Sequence, residues 1–440
     1  MNLVKDLIVG TLCIGCVACA PDKMYRNNFT ACNAEAVREC ENNSMVRYFP
    51  EASNEFHLGY IEFDDQGQLR DRNQMRNLVD NYTTIAARDD ILLAVFVHGW
   101  HHSAAAGDDN IESFKTLLGK VAENEKIMSK KLNRSARKIL GVYVGWRGDS
   151  INIPYVNAAT FWDRKSVAQE VGLQGVTEVL LRLEQIVNVK IAQENIPHPQ
   201  NSRMVTIGHS FGGAVLFTAL QQVLADRFFD SNREKNYESD AKGFGDLVLL
   251  INPAFESLRY STLYDIAQEG CRRYFDSQMP VLAILTSQKD NATRIAFPLG
   301  RIFSTTFEAH RPLARHECTA AGEIPITISE YKADKTAVGH FDPYQTHLMV
   351  PRKKTSGLDT VQQFSQLKNQ WMSLDYGGTL DFSEVSLQHF GKTTPHNPYL
   401  NIYVDKKIMP DHNNIWRKEL MSFIEEMVMV TTTQEQVIIH

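Results

Sequence analysis

The residues of this chain that are best suited to chemistry lie at 208–213, in the run Gly-His-Ser-Phe-Gly-Gly. Ser210 stands between Gly208 and Gly212, which gives the pattern G-x-S-x-G. A serine held on a sharp turn between a strand and a helix can act as a nucleophile when a nearby base takes its proton. Both glycines are needed because side chains there would collide with the neighbouring strand and helix. The alternative is a glycine-rich turn without a catalytic role.

The residues on either side of this motif favour the catalytic interpretation. A β-branched run at 203–207 precedes the turn, and helix-like sequence at 214–220 follows it. A strand, a sharp turn and a helix are the context that the motif requires. The sequence therefore predicts a nucleophile elbow with Ser210 at its apex.

With this motif the chain resembles the α/β-hydrolase superfamily, whose members are mostly serine esterases, lipases and related acyl hydrolases. The resemblance covers most of residues 57–430. A group of bacterial α/β hydrolases of poorly defined substrate shares the stretches EFDDQG at 62–67 and VHGWHH at 97–102. The resemblance implies an α/β fold with a mostly parallel central sheet flanked by helices, in which residues 302–395 of this chain would form a long insertion before the last strand. It implies a reaction type and leaves the substrate open.

Apolar segments along the chain agree with such a sheet. Continuous apolar runs predict strands buried on both faces, and alternation over 56–63 before a turn predicts an edge strand. Buried strands are predicted at 91–97, 139–146, 203–207, 247–251, 281–285 and 400–404, and a terminal amphipathic helix at 415–430. We assign 56–430 to one domain. Residues 302–395 lack sustained strand and helix alternation, so we expect a cap-like insertion over the C-terminal edge of the sheet.

The resemblance also indicates an acid and a base. In the superfamily the acid commonly lies after the strand two beyond the nucleophile, where this chain has Asp290; Glu256, one strand earlier, is the competitor. The fold ends in a strand, a histidine-bearing loop and a helix, which favours His412 as general base. His340 and His347, in the insertion, stay open as alternative bases. Serine, aspartate and histidine then follow the chain order expected for this fold.

Two backbone N–H groups are expected to bind the oxyanion. His98-Gly99, after the strand at 91–97, matches the HG motif that supplies one donor in the superfamily, here Trp100 or its neighbour. The other donor would be Phe211, at the start of the helix after the nucleophile, where the helix dipole also favours negative charge.

Several side chains are expected to contact the substrate. They are His98, His101, Trp146, Arg147 and His340. A metal site made of His98, His101 and His102 is disfavoured because no acidic or cysteine ligand is evident nearby. Trp146 and Arg147 follow a predicted strand at the edge where open parallel sheets bind ligands, although a loop held by an Arg–Asp pair is equally compatible. The chemistry requires no cofactor and no metal.

Composition limits the class of partner. The chain has 440 residues, 43% of them hydrophobic, so it can bury a sizeable core. Its net charge of −6 and its pI near 6.2 argue against a nucleic-acid partner, which needs a basic surface. A basic cluster at 130–138 is interpreted as a solvated helix and loop surface.

The N-terminal residues predict export. Lys5 precedes an uncharged stretch, 7–18, that is too short to span a bilayer as a mature helix. The end of residues 1–19, Cys-Val-Ala-Cys, resembles a bacterial lipobox with Cys19 as the lipidated residue; Cys13-Ile14-Gly15-Cys16 offers a second frame. The alternative is an ordinary cleaved signal peptide. We expect a cell-envelope protein, membrane-anchored or secreted, with a polar extension at 20–55.

Four cysteines would remain besides Cys19 in the mature protein. An even number in an exported protein suggests disulfides among Cys32, Cys40, Cys271 and Cys318. A local bridge between Cys32 and Cys40 is the natural expectation, which leaves Cys271 with Cys318. Three pairings are possible, and the sequence alone does not choose among them.

These observations predict a serine hydrolase that cleaves carboxylic esters, with an ester or lipid as its substrate. Two alternatives stay open. One is a surface lipoprotein of the same fold that acts as a non-catalytic binding module, and the other is an acyltransferase that uses the same residues. The sequence does not determine the acyl length, the physiological role or the oligomeric state.

Overall fold

A computed structural model describes residues 23–34, 40–49, 54–148, 157–190, 201–231, 238–304, 308–353 and 359–433. The predicted signal and lipidation site Cys19 lie outside these ranges. A twelve-stranded mixed sheet forms the centre of the described part. Among the described residues, no helix combines the length and the apolar character needed to cross a membrane.

The central sheet is mostly parallel. Its strand order is β1-β2-β3-β5-β4-β6-β8-β10-β16-β13-β15-β14, and neighbours are antiparallel at β2/β3, β13/β15 and β15/β14. The strands in chain order, including the small ladders β7/β9 and β11/β12, are β1 (Asn28–Ala34), β2 (Asn43–Tyr48), β3 (Phe56–Glu62), β4 (Ile91–Val97), β5 (Lys138–Gly145), β6 (Arg203–His209), β7 (Glu238–Ser239), β8 (Leu247–Ile251), β9 (Arg273–Tyr274), β10 (Leu282–Ser287), β11 (Pro312–Thr319), β12 (Gly322–Ser329), β13 (His347–Pro351), β14 (Thr379–Asp381), β15 (Val385–His389) and β16 (Tyr399–Val404).

Helices cover both faces of this sheet. They are α1 (Arg72–Ala86), α2 (Asp109–Lys131), α3 (Asn157–Leu173), α4 (Gly175–Val187), α5 (Phe211–Phe229), α6 (Ser257–Gln268), α7 (Phe297–Ser304), α8 (Glu330–Lys335), α9 (Thr360–Met372) and α10 (Lys418–Thr432). Helices α1 and α3 to α6 contribute to one hydrophobic core, and α2, α9 and α10 contribute to the other.

Strand β4 shows why the apolar runs form this sheet. Side chains alternate across a strand, so Leu93 and Val95 enter one core while Leu92 and Phe96 enter the other. A strand buried on both faces needs an apolar residue at every position, and all of β4 is buried. The predicted fold class is confirmed as α/β: a mostly parallel central sheet is flanked by helices, and a long segment lies between β10 and β16.

Two details differ from the sequence-based expectation. Strand β3 was predicted at an edge, but it lies inside the sheet because β1 and β2, from the polar extension, pair beyond it. Much of the expected cap at 302–395 also belongs to the sheet, since β13, β15 and β14 add to it beyond β16. Short strands with mixed burial give no continuous apolar run, which explains why the sequence pattern did not indicate them.

Two disulfides fasten the outer parts of the structure. Cys32 pairs with Cys40 beside β1, and Cys271 pairs with Cys318. The second bridge joins the β11/β12 hairpin to the segment that follows α6. The four cysteines therefore adopt one of the three pairings that the sequence left open.

Removing these bridges should have unequal effects on stability. The Cys271–Cys318 bridge closes 47 residues and the Cys32–Cys40 bridge closes 8. A disulfide stabilises the fold by reducing the entropy of the unfolded chain, and the reduction is larger for a longer loop. Cys271→Ala/Cys318→Ala should therefore lower the free energy of unfolding by about 4 kcal/mol, and Cys32→Ala/Cys40→Ala by about 2.5 kcal/mol. Chemical denaturation of the two double variants without reductant measures both values. Equal losses, or the reverse order, would contradict this expectation.

Candidate active site

Ser210 sits at the corner between β6 and α5. Its backbone has φ 56° and ψ −119°, a strained conformation for a residue other than glycine. A Cβ atom on Gly212 would overlap the carbonyl oxygen of Val97, and one on Gly208 would lie 2.7 Å from the carbonyl oxygen of Gly212. Helix α5 therefore starts against β4 and β6 only because residues 208 and 212 lack side chains.

The imidazole of His412 joins Ser210 to Asp290. Its Nε2 lies 2.7 Å from Oγ of Ser210, and its Nδ1 lies 2.8 Å from Oδ1 of Asp290. The carboxylate can only accept, so Nδ1 carries the proton and Nε2 is left to accept from the serine hydroxyl. The Asp290 side chain is fully buried, whereas 17% of the His412 side chain is exposed, so solvent reaches the group through the histidine. The structure thus brings together all three predicted catalytic residues.

Asp290 is held as a carboxylate by several donors. Thr293 donates its backbone N–H to Oδ1 at 3.1 Å and its hydroxyl to Oδ2. Burial alone would raise the pKa of Asp290, but His412 and the two bonds from Thr293 outweigh it and hold the pKa at about 2. The acid is therefore ionised at neutral pH.

His340 belongs to the same chain of hydrogen bonds but does not contact Ser210. Its Nε2 lies 3.0 Å from Oγ1 of Thr293, whose proton goes to Asp290, so His340 is the donor. Burial lowers its pKa to about 4, which keeps the ring neutral. His340 therefore supports the acid, and its predicted contact with substrate stays a prediction.

The other candidates for acid and base lie elsewhere. Nδ1 of His347 forms a hydrogen bond with the hydroxyl of Thr346 over 2.8 Å. The centroid of its ring lies 4.8 Å from that of His389. Glu256 pairs with Lys165 and with Arg301. Of these candidates, His412 contacts Ser210 and Asp290 contacts His412.

The HG loop lies directly against the nucleophile. A Cβ atom on Gly99 would be 3.0 Å from Cβ of Ser210 and 3.0 Å from Nδ1 of His209. Trp100 follows in this loop with its ring stacked on His101, and Phe211 begins α5. Phe211 thus follows Ser210 directly in the chain, Trp100 follows the glycine that packs on Ser210, and the role of both residues as oxyanion donors stays a prediction.

His98 is not available for contact with a substrate, which corrects the prediction made for it. The side chain is fully buried. Its Nδ1 donates to the Gly99 carbonyl at 2.8 Å, and its Nε2 accepts from the N–H of Trp146 at 3.0 Å. Burial lowers its pKa to about 4, so the ring is neutral and fixes the HG loop to the end of β5. A ring with both nitrogens engaged inside the core cannot serve a substrate or a metal ion.

The remaining predicted contact residues lie beside a small cavity. His101, Trp146 and Arg147 are among the residues that line this space of about 90 Å³. Arg147 also pairs with Asp65 at 3.1 Å, and Arg164 pairs with the same carboxylate at 2.9 Å. The Arg–Asp alternative for this loop is therefore present, with Asp65 as the acid. Substrate contact by these three residues stays a prediction.

One group of possible metal ligands lies outside the site. Glu308, His310 and Asp334 place one ligand atom each within 4.8 Å of one another. Asp334 already accepts from Arg301 at 2.5 Å, and Nε2 of His310 is 3.3 Å from its other oxygen. Asp334 is therefore already engaged by Arg301 and His310.

Two further residues contact the base and were missed by the sequence analysis. His209 and Asn252 both donate to the main-chain carbonyl of His412, each over 2.9 Å. His209 lies within the elbow motif itself, and Asn252 directly follows β8 at the sheet edge where ligands bind. Those positions were the available signals, but only the folded loop shows what the side chains hold.

Comparisons with known proteins give little further information. No protein-family model and no curated protein matches the chain. A structure described as a YdeN-like hydrolase from Pectobacterium atrosepticum is 13% identical, covers 48% of this chain and 71% of its own, and has a TM-score of 0.15. Phospholipase PlaB from Legionella pneumophila, in complex with thio-NAD, is 14% identical, covers 54% of this chain and 49% of its own, and has a TM-score of 0.22. Similarities this weak carry no conclusion about activity.

Buried neutral histidines should make the fold sensitive to acid. Burial lowers the pKa of His57, His98, His340 and His389 to about 4 and that of His209 to about 3, and it lowers the pKa of His347 well below the usual value. As pH falls below about 6.5, the unfolded chain takes up protons that the folded chain refuses, so stability is lost until the folded pKa is reached. Melting temperatures should therefore fall steeply between pH 6.5 and pH 4.

A single substitution tests this origin. His347→Phe removes one buried ring whose pKa burial lowers, so the loss of unfolding free energy between pH 7.5 and pH 5 should be smaller in the variant than in the wild type. Denaturant titrations at both pH values provide the difference, which does not depend on the variant's absolute stability. An unchanged difference would mean that His347 does not contribute to the acid sensitivity.

Proposed function

We propose that this protein is a serine hydrolase that cleaves carboxylic esters through an acyl-enzyme. The observation that carries the proposal is the continuous contact from Ser210 through His412 to Asp290, at 2.7 Å and 2.8 Å, on an elbow at the C-terminal end of β6. These distances lie within the range over which a general base can take a proton. A scaffold would not need a nucleophile, a base and a buried acid in line.

The geometry supports a two-step reaction. His412 takes the Ser210 proton as the oxygen attacks the ester carbonyl, and it then protonates the leaving alkoxide. The buried carboxylate of Asp290 keeps the proton on Nδ1 and stabilises the imidazolium. Backbone N–H groups near Trp100 and Phe211 would bind the oxyanion, where losing one donor typically costs roughly 3 kcal/mol. Water then hydrolyses the acyl-enzyme, with His412 again as base.

The cellular setting of this activity belongs to the same proposal. Export and attachment through a lipidated Cys19 are favoured by the N-terminal sequence, and two disulfides in the described residues suit an oxidising compartment. Transfer of the acyl group to an acceptor other than water would use the same residues. The alternative of a non-catalytic binding module predicts that the fold is intact but that Ser210 does not react.

Ser210→Ala should abolish the reaction. Without the hydroxyl, fluorophosphonate labelling should disappear and hydrolysis of a short p-nitrophenyl ester should fall by roughly four to six orders of magnitude. Ser44→Ala is the matched control, because Ser44 is also a buried serine but lies in β2, which three intervening strands separate from β6 in the sheet. Labelling that persists in Ser210→Ala, or a wild-type protein that is folded but unreactive, would rule the proposal out.

Thr293→Val should slow the reaction while preserving the fold. The valine keeps the shape of the side chain but removes the hydroxyl that donates to Asp290. A lost hydrogen bond to a charged group is worth about 1.5 kcal/mol or more, which corresponds to roughly a tenfold fall in kcat. Thr293→Ser, which keeps the donor, should retain most of the rate. If both variants lose the same activity, the hydroxyl is not what supports Asp290.

A further inference from the structure

Hydrogen bonds to the main chain of His412 hold the loop that carries this residue. His412 lies between β16, which ends at Val404, and α10, which begins at Lys418. Its carbonyl oxygen accepts from Nε2 of His209 and from Nδ2 of Asn252, both over 2.9 Å. Two side-chain donors on one carbonyl use both lone pairs of that oxygen, so this peptide unit is held from two directions.

The donors come from neighbouring strands at one edge of the sheet. His209 is the last residue of β6, and Asn252 follows the last residue of β8, the strand paired with β6. Ser287 ends the next strand, β10, and donates its hydroxyl to the carbonyl of Met409 over 2.6 Å. Three adjacent strands thus present a donor to the same loop, which ties the position of the base to the sheet that also positions Ser210.

The side chains of His209 and Asn252, which donate to the His412 carbonyl, are themselves held in place by their surroundings. Asn252 has φ 46°, a conformation that asparagine tolerates, and its Oδ1 accepts from the N–H of Ser287 over 2.9 Å. His209 is 2% exposed, and its Nδ1 faces Gly99. Burial and the nearby His412 ring keep the pKa of His209 at about 3, so His209 brings no positive charge to a base that must itself become positive.

We infer that His209 and Asn252 are positioning residues that hold the main chain of His412 so that its Nε2 stays within reach of the Ser210 hydroxyl. This inference rests on the proposed function. A general base must lie within about 2.6–3.2 Å of the proton it takes, and a displacement of about 1 Å can cost roughly a hundredfold in rate. Because both side chains hold one oxygen atom, either can partly compensate for the loss of the other.

The test uses four variants of the full-length protein. His209→Phe keeps the ring volume but removes the donor, and His209→Gln places an N–H near the same point. Asn252→Gly removes the other donor at a φ that glycine adopts readily. His209→Phe should lower kcat about tenfold with KM nearly unchanged, and His209→Gln should restore most of the loss. His209→Phe/Asn252→Gly should lose more than the product of the two single losses, because the carbonyl then has no side-chain donor.

A matched control separates positioning from general stability. His347→Phe also replaces a buried histidine, 4% exposed, but one that contacts Thr346 and His389. It should leave kcat unchanged. Hydrogen exchange of the peptide that spans 405–415 should rise in the double variant and not in the control, which reports on the loop without any substrate.

The outcomes are distinct. An unreactive wild-type protein overturns the proposed function and this inference with it. A reactive wild type whose His209→Phe and double variants keep kcat within about threefold, with unchanged exchange at 405–415, overturns the inference alone. If the double variant does not fold, the comparison of His209→Phe with His209→Gln decides, since equal losses in both would overturn a role for the donor.

Discussion

The backbone corner at Ser210 is the constraint on which the rest of the site depends. Its strained conformation persists because the surrounding chain fixes it: the N–H of Ser210 donates to the Ile251 carbonyl over 2.9 Å, and its own carbonyl accepts from Ala254 over 3.2 Å. The absence of a side chain at Gly212 lets α5 start against β4. These contacts hold Ser210 in its strained conformation, in which the hydroxyl contacts His412.

The buried ionisable groups around Ser210 differ in whether they are neutral or charged at neutral pH. His98, His209 and His340 lose so much solvation that they stay neutral and act only as hydrogen-bonding groups. Asp290 is equally buried, yet it stays charged because three donor contacts, from His412 and Thr293, face its oxygens. Among these four groups, the charge is thus confined to the carboxylate of Asp290.

The sequence predicted those features that depend on local pattern. Buried parallel strands require continuous apolar runs, so β4 was located to the residue, and the elbow requires small residues at fixed spacing around Ser210. The roles of His98 and of β13 to β15 were not predicted correctly, because they depend on which segments meet after folding. His98 was expected to contact substrate, but its two ring nitrogens form hydrogen bonds with Gly99 and Trp146. The pairing of β4 with β5 sets the position of Trp146 relative to His98.

Asp290 and His412, the proposed acid and base, are supported from different parts of the chain. The insertion supports the acid: Gly339 packs so closely on Thr286 that a side chain there would overlap it, and this contact places His340 where it can donate to Thr293. Strands β6 and β8 of the central sheet support the base, through the carbonyl of His412. Ser210 directly follows β6, so its distance from His412 depends on these two strands, whereas the orientation of Asp290 also depends on how the insertion docks. Changes in the insertion can therefore alter the acid without moving the serine away from the histidine.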